Sequence, residues 1–263
     1  MKLRLFQNRI LRGTVLIFIA LFLIIIIPSC NNNKNNTEIK NGKDLLNAMV
    51  SMYKDKRHKT MTFSQYTVKY PEGKPDTTVW HEAMADGNLR IDTTPFDNKS
   101  GALFINETLY QFKDGKMVNK TSYVNPLKLF LADIYYYKPD RSFQLIDSLG
   151  YDLNKMYETS WQGKTVYVVG TDSRSDTTSK QFWVDKDNLY LVRVIDKIGN
   201  NLLDSHITGI KKMNDEWVEN EIEIYLNGKI YQIEKYFDIK TNVKLDPNLF
   251  NSDYWAKAKP YWD

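Results

Sequence analysis

Few side chains in this sequence are equipped for chemistry, and their spacing decides what each could do. There is one cysteine, Cys30, which follows the unbroken apolar run Val15 to Ile27 and then Pro28-Ser29. A lone cysteine can form neither an intramolecular disulfide nor a cysteine-cluster zinc site. Three histidines, His58, His81 and His206, lie far apart in the chain. His58 falls at a charged helix end and the other two in predicted strands. All three are expected to be surface or sheet residues, without the positioned partner that acid–base catalysis needs. Glu219, Glu221 and Glu223 recur with period two, which puts them on one strand face, where a solvated surface accounts for them. Neither a glycine-rich phosphate loop nor a Walker motif occurs. No catalytic residues, no metal ligands and no cofactor are expected, and the protein is not expected to be an enzyme.

A different chemistry is open to Cys30. Lys2, Arg4, Arg9 and Arg12 form a basic start with no acidic residue. The apolar run is 13 residues long, short of the roughly 20 that span a bilayer but typical of a signal peptide. Ile27-Pro28-Ser29-Cys30 resembles a bacterial lipobox, whose cysteine is lipidated, with palmitate among the acyl groups, and becomes the first mature residue. On this reading residues 1–29 are a signal peptide. Residues 30–41 are the lipidated Cys30 and a polar tether, Asn31-Asn32-Asn33-Lys34-Asn35-Asn36-Thr37 and beyond, too poor in apolar side chains to fold. Asn rather than Asp at position 31 resembles the pattern that sorts lipoproteins to the outer membrane. The tether lacks the acidic cluster of surface-exported lipoproteins, which favours a periplasm-facing body.

Charge follows from that cut. The full chain has 36 Lys+Arg against 32 Asp+Glu, a net +4. The segment 1–29 contains four of the basic residues and no acidic one, leaving 32 of each sign. A neutral body lacks the basic footprint of nucleic-acid binding. Apolar residues make up 42% of the full chain, enough for a core.

The elements that must position any site are mostly strands. A helix is expected over residues 42–57, capped by Asn41, with Leu45, Leu46, Met49, Val50, Met52 and Tyr53 on its apolar face. About thirteen short strands follow, punctuated by turn signals such as Asp86-Gly87, Asp114-Gly115 and Asn227-Gly228. A helical interruption starts at Asn125-Pro126, with Leu127, Phe130, Leu131 and Ile134 on one face, and a second short helix runs from Ser142 to Tyr151. The expected fold is mainly β (α+β), a meandering antiparallel sheet that must curl round its apolar face or close. Residues 42–263 are expected to form a single domain.

Several features together resemble the LolA-like family of lipoprotein carriers and receptors. They are the opening amphipathic helix, the Met61–Tyr70 strand and the helical insertion near Pro126. The hairpin Gln181-Phe182-Trp183-Val184-Asp185-Lys186-Asp187-Asn188-Leu189 leads into Leu191-Val192-Arg193-Val194, and the ending is Leu245-Asp246-Pro247-Asn248-Leu249-Phe250. The resemblance implies a half-open β-barrel with helices covering its concave face, and an apolar cavity for acyl chains. Arg90 is the candidate for the family's buried arginine. The ligand-binding residues expected are Phe130 and Leu131 from the helix, with Val184, Leu191, Ile222 and Ile224 from the sheet. The implied function is a lipid- or lipoprotein-binding protein of the outer membrane, anchored through Cys30 and monomeric. The alternative is a surface glycan-binding or adhesion lipoprotein using exposed aromatics, such as Tyr135-Tyr136-Tyr137, Tyr254-Trp255 and Tyr261-Trp262.

Overall fold

A computed structural model describes residues 38–262. Cys30, the expected signal peptide and most of the expected tether lie outside the described residues. Among the described residues no helix is long and apolar enough to cross a membrane.

The first helix, α1 (Gly42–Tyr53), is closed at its start from both directions. Asn41 Oδ1 accepts the N–H groups of Lys43 and Asp44 at 2.9 and 3.0 Å, and Asp44 Oδ2 accepts that of Lys40 at 3.1 Å. Gly42 donates its N–H to the Leu153 carbonyl at 2.8 Å. A Cβ there would meet Val169 Cγ1 at 2.7 Å, so glycine is what lets the helix begin this close to the sheet. Leu45, Leu46, Met49 and Tyr53 are buried, whereas Met52 is exposed. The helix stops at Tyr53 rather than running to residue 57, because the Tyr53 carbonyl takes the N–H groups of both Lys56 and Arg57 in a closing turn.

Thirteen strands form one antiparallel sheet. The first six are β1 (Thr60–Lys69), β2 (Asp76–Ala85), β3 (Asn88–Thr93), β4 (Ser100–Ile105), β5 (Thr108–Lys113) and β6 (Lys116–Ser122). The remainder are β7 (Met156–Trp161), β8 (Lys164–Val169), β9 (Gln181–Asp185), β10 (Leu191–Ile198), β11 (Asn201–Met213), β12 (Glu216–Leu226) and β13 (Lys229–Thr241). Asp86-Gly87, Asp114-Gly115 and Asn227-Gly228 have positive φ at both residues, as hairpin turns matching strand twist require. At the β9–β10 turn the Asp185 carboxylate accepts the N–H groups of Asp187 and Asn188 at 3.1 and 2.8 Å, fixing the hairpin through its own side chain.

The spatial order is β6-β5-β4-β3-β2-β1-β13-β12-β11-β10-β9-β8-β7. Every neighbouring pair is consecutive in sequence except β1 and β13, which join the two halves at the centre. The edges are therefore β6 and β7, and the chain between them carries the helical insertion: α2 (Pro126–Leu131), a 3-10 turn (Asp133–Tyr135) and α3 (Pro139–Ser148). The sheet is not closed; helices stand at its seam.

Those helices fill the two halves unequally. The main core packs α1, α2 and α3 against β8 to β12, through Leu46, Met49, Phe130, Ile146, Val169 and Phe182 among others. Phe130 stacks on Phe182 at 4.4 Å and meets Tyr151 edge-on at 5.2 Å. Helix α2 is a partition. Phe130, and Ile134 just beyond it, are buried in this core, whereas Leu127 and Leu131, four residues apart, pack against its margin and also line a space over the other half of the sheet. Among the described residues α2 and the 3-10 turn after it reach over that second half, and a space remains beneath them.

Candidate functional site

That space is a cavity of about 580 Å³. Strand alternation builds its wall. On β2 the residues Trp80, Glu82 and Met84 point in, on β3 Leu89, Ile91 and Thr93, and on β4 Ala102 and Phe104. Phe63 of β1 and Tyr236 of β13 close the side towards the sheet centre, and Leu127 and Leu131 form the roof. Val118 also lines it and is 62% exposed, so the cavity opens at the β6 edge. The whole of β6 is exposed, with Lys116 and Lys120 along it, charges that discourage edge-to-edge pairing.

Of the residues expected to bind ligand, Leu131 lines this cavity. Phe130, Val184, Leu191, Ile222 and Ile224 sit instead in the packed core under α1. Phe130, Leu131 and Leu191 also border a second space of about 30 Å³, too small for an acyl chain. Sequence alternation identifies an apolar face but not which part of it the helices fill.

Three glutamates, Glu82, Glu219 and Glu234, reach the same cavity. Glu219 was expected on a solvated face with Glu221 and Glu223, and the structure corrects this. On β11 the consecutive residues Gly209 and Ile210 oppose Glu221 and Glu219, so Asn220 is an extra residue. The bulge inverts the alternation: Ile222 and Ile224 enter the core on one side of it, and Glu219 enters the cavity on the other. A Cβ at position 209 would lie 2.7 Å from Glu221 Cβ, which is why the bulge faces a glycine.

The three carboxyls are not equally served. Glu234 accepts the Tyr236 hydroxyl at 2.9 Å and Gln232 Nε2 at 2.5 Å, and Lys69 adds an attraction. Burial still holds its pKa above the ordinary carboxylate range. Glu219 feels the Arg57 guanidinium. Glu82 is 5% exposed, and among the described residues none hydrogen-bonds its carboxyl. Burial pushes its pKa well up, and the charges of Glu234 and Glu219 push it further. Lys128 also lines the cavity, but its Nζ is 2.5 Å from Asp133 Oδ1. Burial, partly offset by that lysine, raises the Asp133 carboxyl to about 6.

Arg90 is buried, yet it points to the opposite side of β3 from Leu89 and Ile91. It forks onto Asp92 at 2.7 and 2.9 Å and lies 3.8 Å over the Trp255 ring. Its Nη1 donates to the Leu249 carbonyl at 3.2 Å. Trp255 in turn stacks on Phe112 at 4.2 Å and donates Nε1 to the Lys99 carbonyl at 2.7 Å. Arg90 thus fastens the C-terminal segment to the outer face. Arg193 is likewise external, paired with Asp204 and lying between the rings of Trp161 and Trp183.

The histidines divide. His81 and His206 lie in strands. His81 Nδ1 is 2.8 Å from Ser64 Oγ and its ring stacks against Trp262. Asp92, opposite it, is occupied by Arg90 and by the Tyr261 hydroxyl. His206 pairs with Asp204 at 3.0 Å. His58 is not a surface residue: it is 3% exposed and its Nδ1 meets the buried Glu216, with Arg57 Nε 3.8 Å from that carboxylate. The partner lies 158 residues away, beyond any local signal. Trp255 is buried, Tyr135 packs against the core, and the Tyr136 hydroxyl donates to the His58 carbonyl. Much of the aromatic excess is internal.

No family model matches the sequence, and no curated protein matches it. Solved structures do. A DUF1329 family protein from Desulfovibrio piger superposes with a TM-score of 0.56 at 14% identity, over 81% of this chain and 97% of the other. A domain assigned to outer membrane lipoprotein sorting, from Vibrio parahaemolyticus, gives 0.56 at 11% identity, over 82% and 98%. A LolA superfamily protein from Nitrosomonas europaea gives 0.52 at 15% identity, over 80% and 98%. The fold is LolA-like: an unclosed antiparallel barrel with its helices at the seam.

Proposed function

We propose that this protein is a membrane-anchored lipoprotein of the cell envelope that binds acyl chains of lipids or lipoproteins, in their transport or sorting. The observation that carries the reading is the apolar cavity of about 580 Å³ between β1–β5 and the partition helix α2. Its size falls in the range of about 300–1,000 Å³ usual for small-molecule sites. An acyl chain enters at the β6 edge, past Val118, and leaves water. Ten methylenes at about 0.8 kcal/mol each correspond to about 8 kcal/mol, a micromolar affinity before association costs. That strength suits a carrier that must also release. Helix α2, six residues long, is the element that moves to admit the chain.

Anchoring belongs to the same proposal. Cys30 carries the lipid, the tether holds the folded body off the membrane, and the body faces the periplasm from the outer membrane as a monomer. Native mass spectrometry of the purified protein, together with titration of a fluorescent fatty acid, tests the binding. Co-purifying lipid and saturable binding are expected; neither appearing would end the proposal. Incorporation of labelled palmitate in the full chain but not in Cys30→Ser tests the anchor.

A further inference from the structure

The cavity wall is mostly apolar, and its carboxyls, Glu82, Glu219 and Glu234, gather at the inner side; that cluster carries information about the ligand. Buried carboxyls persist where something compensates them. Glu234 has Tyr236, Gln232 and Lys69, and Glu219 has Arg57. Glu82 has neither. Its neighbours on the inner wall are Phe63, directly across on β1, and Ile91, directly across on β3. The charged groups that bear on it are the two other glutamates, both of its own sign. Among the described residues the cation on the cavity wall is Lys128, which is committed to Asp133 on the helical side. A carboxyl that is almost wholly buried, unpartnered among the described residues and aimed into a space of this size is half of an interaction.

We propose that the cavity takes an amphiphile whose polar end is a protonated aliphatic amine, seated against Glu82 with Glu219 and Glu234 around it. The inference rests on the acyl-binding reading above and adds the head group. An ammonium brings three N–H donors and a positive charge to a site that offers carboxyl oxygens and lacks a free cation. A fatty acid carboxylate meets like charge there. An alcohol satisfies one hydrogen bond and neutralises nothing. The chain of the same molecule lies along Trp80, Met84, Leu89, Ile91 and Phe104, towards the opening at Val118.

Calorimetric titration of the folded protein with dodecylamine, dodecanol and dodecanoate, each below its micelle concentration, tests this. The wild type is expected to bind the amine at least ten-fold more tightly than the alcohol, and the carboxylate most weakly. Glu82→Gln is expected to bring the amine down to the level of the alcohol. Glu82→Asp, which retains the acid, is expected to keep the order with a smaller gap. Equal binding of amine and alcohol by the wild type overturns the head-group assignment and leaves the acyl-binding reading standing. So does an amine preference that survives in Glu82→Gln. Binding of none of the three overturns both.

Discussion

Glu82 and Arg90 lie on adjacent strands and show how two buried charges of the same sheet come to opposite ends. Arg90 is fully occupied, by Asp92, two carbonyls and the Trp255 ring, and it faces away from the cavity. Arg90→Ala strands a buried Asp92, a loss of about 3–5 kcal/mol when one partner of a buried pair is removed. It is expected to lower the urea midpoint sharply and free Trp255, read by its fluorescence, while the folded fraction binds acyl ligand as before. Glu82 behaves conversely, because its folded-state pKa is raised by burial and by Glu234 and Glu219. A carboxyl with a raised folded pKa favours the fold below its unfolded pKa, and that advantage is lost as pH rises through the folded value. Glu82→Gln removes the titration. The variant is therefore expected to match or trail the wild type near pH 4 and to gain on it steadily towards pH 8, by several degrees in Tm. Parallel melting curves at every pH would contradict the burial of an ionisable Glu82. Arg90 was anticipated as a buried arginine, though not what it fastens; Glu82 was not, since composition marks it as an acid in a strand and only the register shows that it faces a space.

The hairpins were the most readable elements, since Asp-Gly and Asn-Gly pairs force positive φ and end strands by local chemistry. About thirteen strands were expected from these and other turn signals, and thirteen are found. Helix α2 was readable as a helix from Asn125-Pro126, but its function as a partition was not. Its apolar residues were assigned to one face, and Leu127, Phe130, Leu131 and Ile134 do all pack against the core; that Leu127 and Leu131 also reach the cavity had no local signal. The bulge at Asn220 was hidden for a related reason, because a two-residue alternation read along β12 has no memory of an inserted residue. Its one mark in the sequence is Gly209 on the partner strand. Gly209→Ala forces a Cβ against Glu221, and overpacking of this kind costs about 1–3 kcal/mol. The expected result is a lower denaturation midpoint together with weaker ligand binding, since Glu219 is turned inward by the same bulge. An unchanged midpoint would mean that the strand relaxes there freely.

Across the molecule, the decisive pairing is β1 with β13, which joins the ends of the domain and leaves β6 and β7 as edges. No local signal encodes it, because the two strands are separated by most of the chain. It divides the concave face in two: α1, α2 and α3 fill the half built on β8–β12, and α2 with the 3-10 turn after it borders the half built on β1–β5. The sequence reading placed the ligand among Phe130, Val184, Leu191, Ile222 and Ile224, along with Leu131, because those apolar residues alternate most clearly; all but Leu131 belong to the filled half. The central claim is that ligand occupies the other half, and it can be tested by filling it. Ala102 stands on β4 in the cavity wall, away from the core under α1. Titration of a fluorescent fatty acid into Ala102→Trp, beside the wild type, is the most direct measurement. A loss of binding by more than ten-fold, with Tm held within a few degrees, is the expected result. Undiminished binding to the filled cavity would contradict it.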